Sequence, residues 1–189
     1  MIRFDGNTPE DIKLWHTYLF WARSRVCNTE IADTKVIADD PANRVNVSIG
    51  EALQAILFCS FTLEYRMKRV LLSMGFKLPK KETLGRLYAN FWPRLEKLDR
   101  LDKTSKCKKP TKWKECAETL DTLVSVRNAI AHANYEETIR MLSATKDPAD
   151  MARKYYNALV DAIMLINIST GYDIRPFHEI EEYFKPMKC

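Results

Sequence analysis

The chain has few of the residues that organise extracellular, metal-binding or turn-rich proteins. Its 189 residues include only five glycines, five cysteines and three histidines. The cysteines are odd in number and form no Cys-x-x-Cys pair, which argues against a disulfide framework or a zinc site. We therefore expect reduced thiols in a cytoplasmic protein, with no metal or other cofactor. The scarcity of glycine favours helices over a turn-rich β-sheet protein.

Long apolar runs and a large charge excess are also missing. No apolar run reaches about 18 residues, so we expect no membrane span. The longest candidate, 158–168, is interrupted by Asp161 and Asn167 and is predicted to be a buried helix. Acidic side chains occupy three of the first eleven positions, which argues against a signal peptide. The net charge of +5 permits an acidic partner without requiring one.

Helix signals begin close to the N-terminus. Residues 8–11 supply an N-cap, a proline at the first helical position and acids in the first turn. Apolar side chains then recur at helical spacing until about Val26. Residues 27–44 are expected to form an irregular connection.

The next two predicted helices have recognisable ends. Ser48 with Glu51 forms a capping-box pattern that predicts the start of a long helix, and Gly75 is expected to end it. A second helix is predicted over 83–98, kinked or split at Pro93.

Helical periodicity resumes at about Trp113. A shorter helix is predicted over 136–144, residues 147–150 start another that ends at Gly171, and 176–184 add a turn or two. The side chains of the helix from Trp113 that are expected to face the core are Leu120, Leu123, Val124, Ile130 and Ala131. No strand-like alternation, repeat or linker interrupts this pattern, which predicts one all-α, up-and-down helical bundle over 1–189.

Arg127, Asn128 and His132 are the most informative residues of the chain. They place a permanent cation, an amide and a titratable imidazole within six positions at one end of a predicted helix. Cleavage of RNA without a metal requires at least two groups: a cation such as a guanidinium that stabilises phosphate charge, and a group that moves protons near neutral pH. Neither of the other two histidines has an arginine four to six positions upstream.

The spacing of these residues favours a site shared between two chains. On a regular helix Arg127 and His132 point about 140° apart and are separated by roughly 7.5 Å of rise. Asn128 and His132, at i and i+4, share a face. Two antiparallel copies could bring Arg127 and His132 around one phosphate, so the geometry suggests a homodimer with a composite site across a two-fold axis.

The motif resembles that of the HEPN family. Ribonucleases of that family carry an arginine, a polar residue and then a histidine, with four to six residues between arginine and histidine. Residues 127–132 fit the four-residue version, with Asn128 as the polar residue. The long upstream helix, the middle helical hairpin and the apolar helix after the motif are similar too. The resemblance covers about 45–171, and leaves an N-terminal helix and connection, 1–44, and a tail, 172–189.

The resemblance implies a HEPN-like bundle with additional N-terminal and C-terminal helices, and metal-independent cleavage of RNA. The ribose 2′-hydroxyl attacks the phosphorus and leaves a 2′,3′-cyclic phosphate and a 5′-hydroxyl. His132 would move protons, Arg127 would offset phosphoryl charge, and Asn128 would orient His132 or bind the phosphate. Single-stranded or loop RNA is the expected substrate, because the 2′-hydroxyl must swing in line. The implied role is a toxin or antiphage-defence effector controlled by an antitoxin or regulatory protein.

Other interpretations of the motif stay open. Arg127 could pair with Asp121 or another acid, and His132 near a helix C-terminus is favoured by the helix dipole alone. The chain could be a non-catalytic HEPN-type module that binds RNA, a nucleotide or a protein. It could also be a structural helical protein in which the motif is accidental.

Tyr135 is a possible modification or pocket residue. Some HEPN toxins carry a tyrosine two positions after the histidine, where a nucleotidyltransferase antitoxin modifies it. Here Asn134 stands at that position and Tyr135 follows one later. Packing at the start of the next helix is the alternative.

Two further groups of residues are candidates for the surroundings of the site. Glu64 and Lys68, with Tyr65 between them, form an i,i+4 pair that is either a surface salt bridge or a flank of the catalytic pocket. A lysine-rich loop either tracks a phosphate backbone, with its tryptophan stacked on a base, or is solvated with the tryptophan packed inward. Its candidate RNA-binding residues are Lys106, Lys108, Lys109, Lys112 and Trp113.

Overall fold

The computed structural model is an α-helical protein. It describes residues 9–34, 41–78, 80, 83–101, 113–132, 134, 136–138, 140 and 147–170. Of the interpretable residues, 90% are helical and none lies in a strand, which confirms the all-α prediction. The long helices of this part of the chain are α1 (Pro9–Thr34), α2 (Pro41–Ser73), α3 (Leu84–Leu101), α4 (Trp113–Ala131) and α5 (Pro148–Thr170).

Helix α1 begins at Pro9 as predicted but is longer than expected. The prediction that it ends near Val26 is wrong, because the helix continues to Thr34. Thr29, whose side chain is buried, donates its hydroxyl to the Arg25 carbonyl oxygen at 2.9 Å, so this polar group is satisfied inside the helix. Packing against neighbouring helices thus extends α1 past the point where the apolar pattern weakens.

The predicted irregular connection over 27–44 is wrong wherever the structure describes it. Residues 27–34 belong to α1 and 41–44 belong to α2, while 35–40 lie outside the described residues.

The predicted capping box at Ser48 is also wrong. Helix α2 already begins at Pro41, so Ser48 lies inside the helix and is 1% exposed. Glu51 does not turn back toward the helix start. Its carboxylate accepts hydrogen bonds from Arg25 at 3.0 and 3.1 Å and from Asn28 at 3.4 Å, which joins α2 to α1.

The end of α2 is a glycine cap, as predicted. Gly75 has a φ of +74°, the left-handed region that favours glycine. Its N–H donates to the Leu72 carbonyl oxygen, and the Phe76 N–H donates to the Leu71 carbonyl oxygen, both at 2.9 Å. This pair of bonds is the Schellman motif, which satisfies carbonyls that the helix end would leave unpaired.

Helix α3 runs unbroken through Pro93, so of the two predicted alternatives the split is wrong, and the kink stays a prediction. Proline removes the hydrogen bond that residue 93 would donate to the carbonyl of Ala89. Both residues are exposed, so water can satisfy that carbonyl. The helix ends at Leu101, three residues beyond the predicted end.

Helix α5 has the start that the sequence indicated. The Asp147 carboxylate accepts the Ala149 N–H at 2.8 Å, and Pro148 occupies the first helical position. The helix is described to Thr170. The predicted terminator Gly171 and the tail 172–189 lie outside the described residues.

The core is formed at the centre of the bundle, where α2 and α5 each pack against all four other long helices. The most extensive contact between two helices is that of α1 with α2, so the N-terminal helix contributes to the core. An ion pair between Arg153 and Glu30 at 2.9 Å also joins α5 to α1. Fully buried side chains from the five helices include Leu19, Ile56, Leu63, Leu87, Leu120, Leu123, Tyr156 and Ile163.

The buried face of α4 differs in part from the prediction. Leu120 and Leu123 are fully buried as expected, and Val124 and Ile130 pack against the core. Ala131 is exposed, so its predicted core position is wrong. It lies two positions after the buried Ala129, and two residues of helix turn a side chain by about 200°.

One segment of α2, Val47–Leu72, is long and apolar enough to cross a membrane by length and composition. Its mean hydropathy is 1.3, and 44% of the tested window is buried inside the protein. The segment also carries Arg66, which is 1% exposed. The central helix of a bundle passes the same test, so the absence of a membrane span stays a prediction.

Two glycines, Gly50 inside α2 and Gly75 just past its end, should respond in opposite ways to alanine. At both positions an added Cβ meets nothing within 4 Å, so only backbone effects differ. Gly75→Ala should lower the free energy of unfolding by about 1–2 kcal/mol, because alanine is strained at positive φ. Gly50→Ala, inside the helix, should raise it by up to about 1 kcal/mol. Urea unfolding measures both changes in the free energy of unfolding, provided that its dependence on urea concentration is the same in each variant. Changes of the same sign in the two variants would contradict the assigned cap.

Candidate active site

Arg127, Asn128 and His132 lie together at the C-terminal end of α4. Arg127 and Asn128 belong to its last turns, and His132 directly follows the last helical residue. The His132 N–H donates to the Asn128 carbonyl oxygen at 3.0 Å, an i→i−4 bond that continues the helical turn. The helical register therefore extends through His132. Arg127 and His132 accordingly keep the angular and axial separation that a regular helix predicts.

The guanidinium of Arg127 is held by its neighbour. Its Nη1 donates to the Asn128 Oδ1 at 3.2 Å. The side chain of Arg127 is 20% exposed, and its Nε is buried with no hydrogen-bond partner in the described part of the chain. In this structure Asn128 thus positions Arg127, whereas the resemblance implied that it orients His132 or binds phosphate.

Glu64 of α2 is the acid that approaches Arg127. The distance from Arg127 Nη2 to Glu64 Oε2 is 3.8 Å, while Lys68 Nζ lies 3.0 Å from the other oxygen, Oε1. A separation of 3.8 Å is too long for a hydrogen bond. One carboxylate is therefore shared by two cations, and its contact with Arg127 is loose enough to be exchanged for a phosphate oxygen.

This contact bears on the alternative that Arg127 pairs with Asp121 or another acid. The acid that approaches it is Glu64, so the pairing exists, with another acid in place of Asp121. Glu64 and Lys68 do form the expected i,i+4 salt bridge, and the same carboxylate flanks the candidate site.

His132 is exposed at the end of the helix. Among the described residues its side chain has no hydrogen bond or ion pair, and it is not joined to Arg127. One chain therefore presents the cation and the imidazole separately. A substrate phosphate that contacts both must lie between them or receive one of them from another protomer.

Asn134 starts the chain segment after the motif. Its Oδ1 accepts the Glu137 N–H at 3.2 Å, and its carbonyl oxygen accepts the Thr138 N–H at 2.9 Å. Residues 136–138 and 140 are helical, in agreement with the predicted helix over 136–144, of which 141–144 lie outside the described residues. Asn134 is thus an N-cap. Tyr135 lies outside the described residues.

A groove of about 230 Å³ adjoins the Glu64 carboxylate. Helix α1 contributes one aromatic side chain and α2 contributes the rest of the lining. The lining residues are Tyr18, Phe61, Glu64, Tyr65 and Lys68. The sequence predictions missed Tyr18 and Phe61. The spacing of Phe61, Tyr65 and Lys68 at i, i+4 and i+7 could have indicated one aromatic and basic helix face.

A larger cleft of about 460 Å³ lies between α4 and α5. Its charged lining has three acids and two bases, namely Glu115, Asp150, Asp161, Arg153 and Lys154. Arg153 is already bound to Asp150 at 2.6 Å and to Glu30. The charge in this cleft therefore opposes phosphate binding.

The predicted RNA contacts of the lysine-rich segment are not tested by the described residues. Lys106, Lys108, Lys109 and Lys112 lie outside the described residues. Helix α4 begins at Trp113, whose side chain is not described either. Their contact with RNA stays a prediction.

No protein-family model, curated protein or solved structure matches the chain. The resemblance to the HEPN family therefore depends on the motif and on the order of helices.

Removing the charge of Glu64 should strengthen binding of a polyanion. In Glu64→Gln, Arg127 and Lys68 keep their charges and lose the carboxylate between them. An ion pair near 4 Å in water is worth about 1 kcal/mol, so we expect about fivefold tighter binding. The measurement is fluorescence anisotropy with a labelled 2′-O-methyl RNA, which lacks a free 2′-hydroxyl. Glu115→Gln, at the other end of α4, is the control. Unchanged or weaker binding by Glu64→Gln alone would contradict the assignment.

Proposed function

We propose that the protein is a metal-independent endoribonuclease that cleaves single-stranded or loop RNA. The observation that supports the proposal best is the set of contacts made by the Arg127 guanidinium. Its guanidinium is anchored by Asn128 yet paired only loosely with Glu64, at 3.8 Å. A fixed cation with unused donors is what a phosphoryl group in a transition state requires.

The proposed reaction uses groups of the chain, the RNA and water. The ribose 2′-oxygen forms a bond to phosphorus while the bond from phosphorus to the 5′-oxygen breaks. His132 carries out one of the two proton transfers, either taking the proton from the 2′-hydroxyl or giving one to the 5′-oxygen, and water accepts or supplies the other proton. Arg127 donates to the phosphoryl oxygens as their charge grows. The products are a 2′,3′-cyclic phosphate and a 5′-hydroxyl.

The site is proposed to be completed by a second copy of the chain. His132 is exposed and does not contact Arg127. An antiparallel partner could place its histidine beside Arg127, and a two-fold axis would do the same for the other copy. A homodimer with a composite site explains why the two side chains need not meet within one protomer.

A ribonuclease of this kind would damage the RNA of its own cell unless it were controlled. We therefore propose the role of a cytoplasmic toxin or antiphage-defence effector, restrained by an antitoxin or regulatory protein.

The contact with Glu64 favours a second candidate function. The carboxylate offsets part of the charge that Arg127 could offer to a phosphoryl transition state, which suits a module that binds RNA, a nucleotide or a protein without cleavage.

Purified protein should cleave labelled single-stranded RNA in excess EDTA. Arg127→Ala and His132→Ala should each lower the rate by about 10²-fold or more, because each removes charge stabilisation or proton transfer. A substrate with 2′-deoxyribose at the cleaved position should resist cleavage. Gel analysis of product ends should show cyclic phosphates.

Arg140→Ala is the matched control, since Arg140 is an exposed arginine nearby that pairs with Glu137. It should leave the rate unchanged. Cleavage that persists in both Arg127→Ala and His132→Ala would remove these residues from the mechanism. RNA binding without cleavage by the unaltered protein would favour the binding module.

Mixed dimers test whether the site is shared. A heterodimer of one Arg127→Ala chain and one His132→Ala chain, purified through two different tags, contains one intact arginine and one intact histidine on different protomers. If the groups act across the interface, this heterodimer should cleave RNA faster than either inactive homodimer. A heterodimer as inactive as the homodimers would show that Arg127 and His132 act within one chain.

A further inference from the structure

We propose that the groove beside Glu64 binds one unpaired nucleobase of the RNA, next to the phosphate held by Arg127. The inference depends on the proposed function, because it takes that phosphate as the neighbour of the base. The groove is lined by three aromatic side chains and by one ion pair, Glu64 with Lys68. Proteins usually bind single-stranded nucleic acids through aromatic rings, which stack on the bases, beside cations that contact the backbone.

Phe61 is the stacking surface of the groove. Its side chain is 37% exposed, although it lies on the central helix α2. The ring is held by two neighbours, with centroids 5.7 Å from Tyr18 and 6.3 Å from Phe58. Both neighbours meet it at steep angles, 52° and 82°, so neither stacks face to face on it. A ring that is fixed before binding loses little conformational freedom when a base stacks on it.

The charges place the groove beside the proposed phosphate position. Lys68 and Arg127 contact opposite oxygens of the same Glu64 carboxylate, at 3.0 and 3.8 Å. Lys68 lines the groove, and Arg127 belongs to the catalytic motif. The two cations exceed the single carboxylate by one charge, which complements one phosphate. A base in the groove would therefore have its backbone within reach of Lys68 or Arg127.

The size of the groove limits its occupant. Its volume of about 230 Å³ is below the range of roughly 300–1,000 Å³ that is typical of pockets for drug-sized ligands. A single base can enter such a space, whereas a base that is paired and stacked in a duplex cannot. This matches a substrate whose nucleotide is free to leave the stack, as in a loop or a single strand.

Binding to two oligonucleotides tests the proposal without cleavage. The probes are a labelled 2′-O-methyl RNA and the same oligonucleotide with abasic positions, each measured by fluorescence anisotropy. Phe61→Ala should bind the intact probe about 5- to 100-fold more weakly and bind the abasic probe as the unaltered protein does. Phe61→Trp should restore binding of the intact probe. Leu72→Ala, at an apolar position of the same helix that is more exposed than Phe61, at 50%, is the control and should change neither.

Each contrary result has a defined meaning. The base site would be overturned if Phe61→Ala lost the same affinity for both probes, or lost none. It would also be overturned if the unaltered protein did not bind the intact probe. Loss of the dimer in Phe61→Ala, seen by light scattering, would also overturn it and assign this face to a second copy of the chain. Base-dependent binding in a protein that does not cleave RNA would uphold the groove and reject the proposed catalysis.

Discussion

Arg127 is held at the end of α4 by the hydrogen bond that it donates to Asn128 and by a loose contact with Glu64, and the geometry of the candidate site depends on that position. The Glu64 contact exists because α2 runs through the centre of the bundle and packs against α4. Leu63 and Met67, which flank Glu64 in the sequence, are fully buried and fix the rotation of the helix. The same rotation turns Phe61, Glu64 and Lys68 toward the groove. One face of α2 thus packs in the core, and another face carries the side chains of the candidate site.

The arrangement around Arg127 does not maximise stability. Its Nε is buried without a hydrogen-bond partner among the described residues, and an unmade bond of this kind costs about 1–3 kcal/mol. The 3.8 Å contact with Glu64 recovers only part of that cost. Arg25 shares the unpaired buried Nε, so the ion-pair distance is what distinguishes Arg127: Arg25 meets Glu51 at 3.0 Å, and Arg153 meets Glu30 at 2.9 Å. An arginine left under-paired at a helix end is typical of a functional position.

The sequence predicted those parts of the fold that local chemistry determines. The glycine cap at Gly75 and the aspartate cap at Asp147 are confirmed, because each depends on residues within one helical turn. The capping box at Ser48 and the end of α1 near Val26 were wrong, because contacts between helices override short patterns there. Glu51 binds Arg25, which lies on another helix, and no local pattern reveals such a partner. For the same reason the sequence indicated the motif at Arg127 but not its contact with Glu64.

A crystal structure of the protein with a 2′-O-methyl dinucleotide, which cannot be cleaved, would show whether Arg127 holds the phosphate. We expect a phosphate oxygen within hydrogen-bond distance of Arg127 Nη2, with Asn128 still bound to Nη1 and Glu64 moved away from the guanidinium. A dinucleotide bound elsewhere, with Arg127 and Glu64 unchanged, would contradict this expectation.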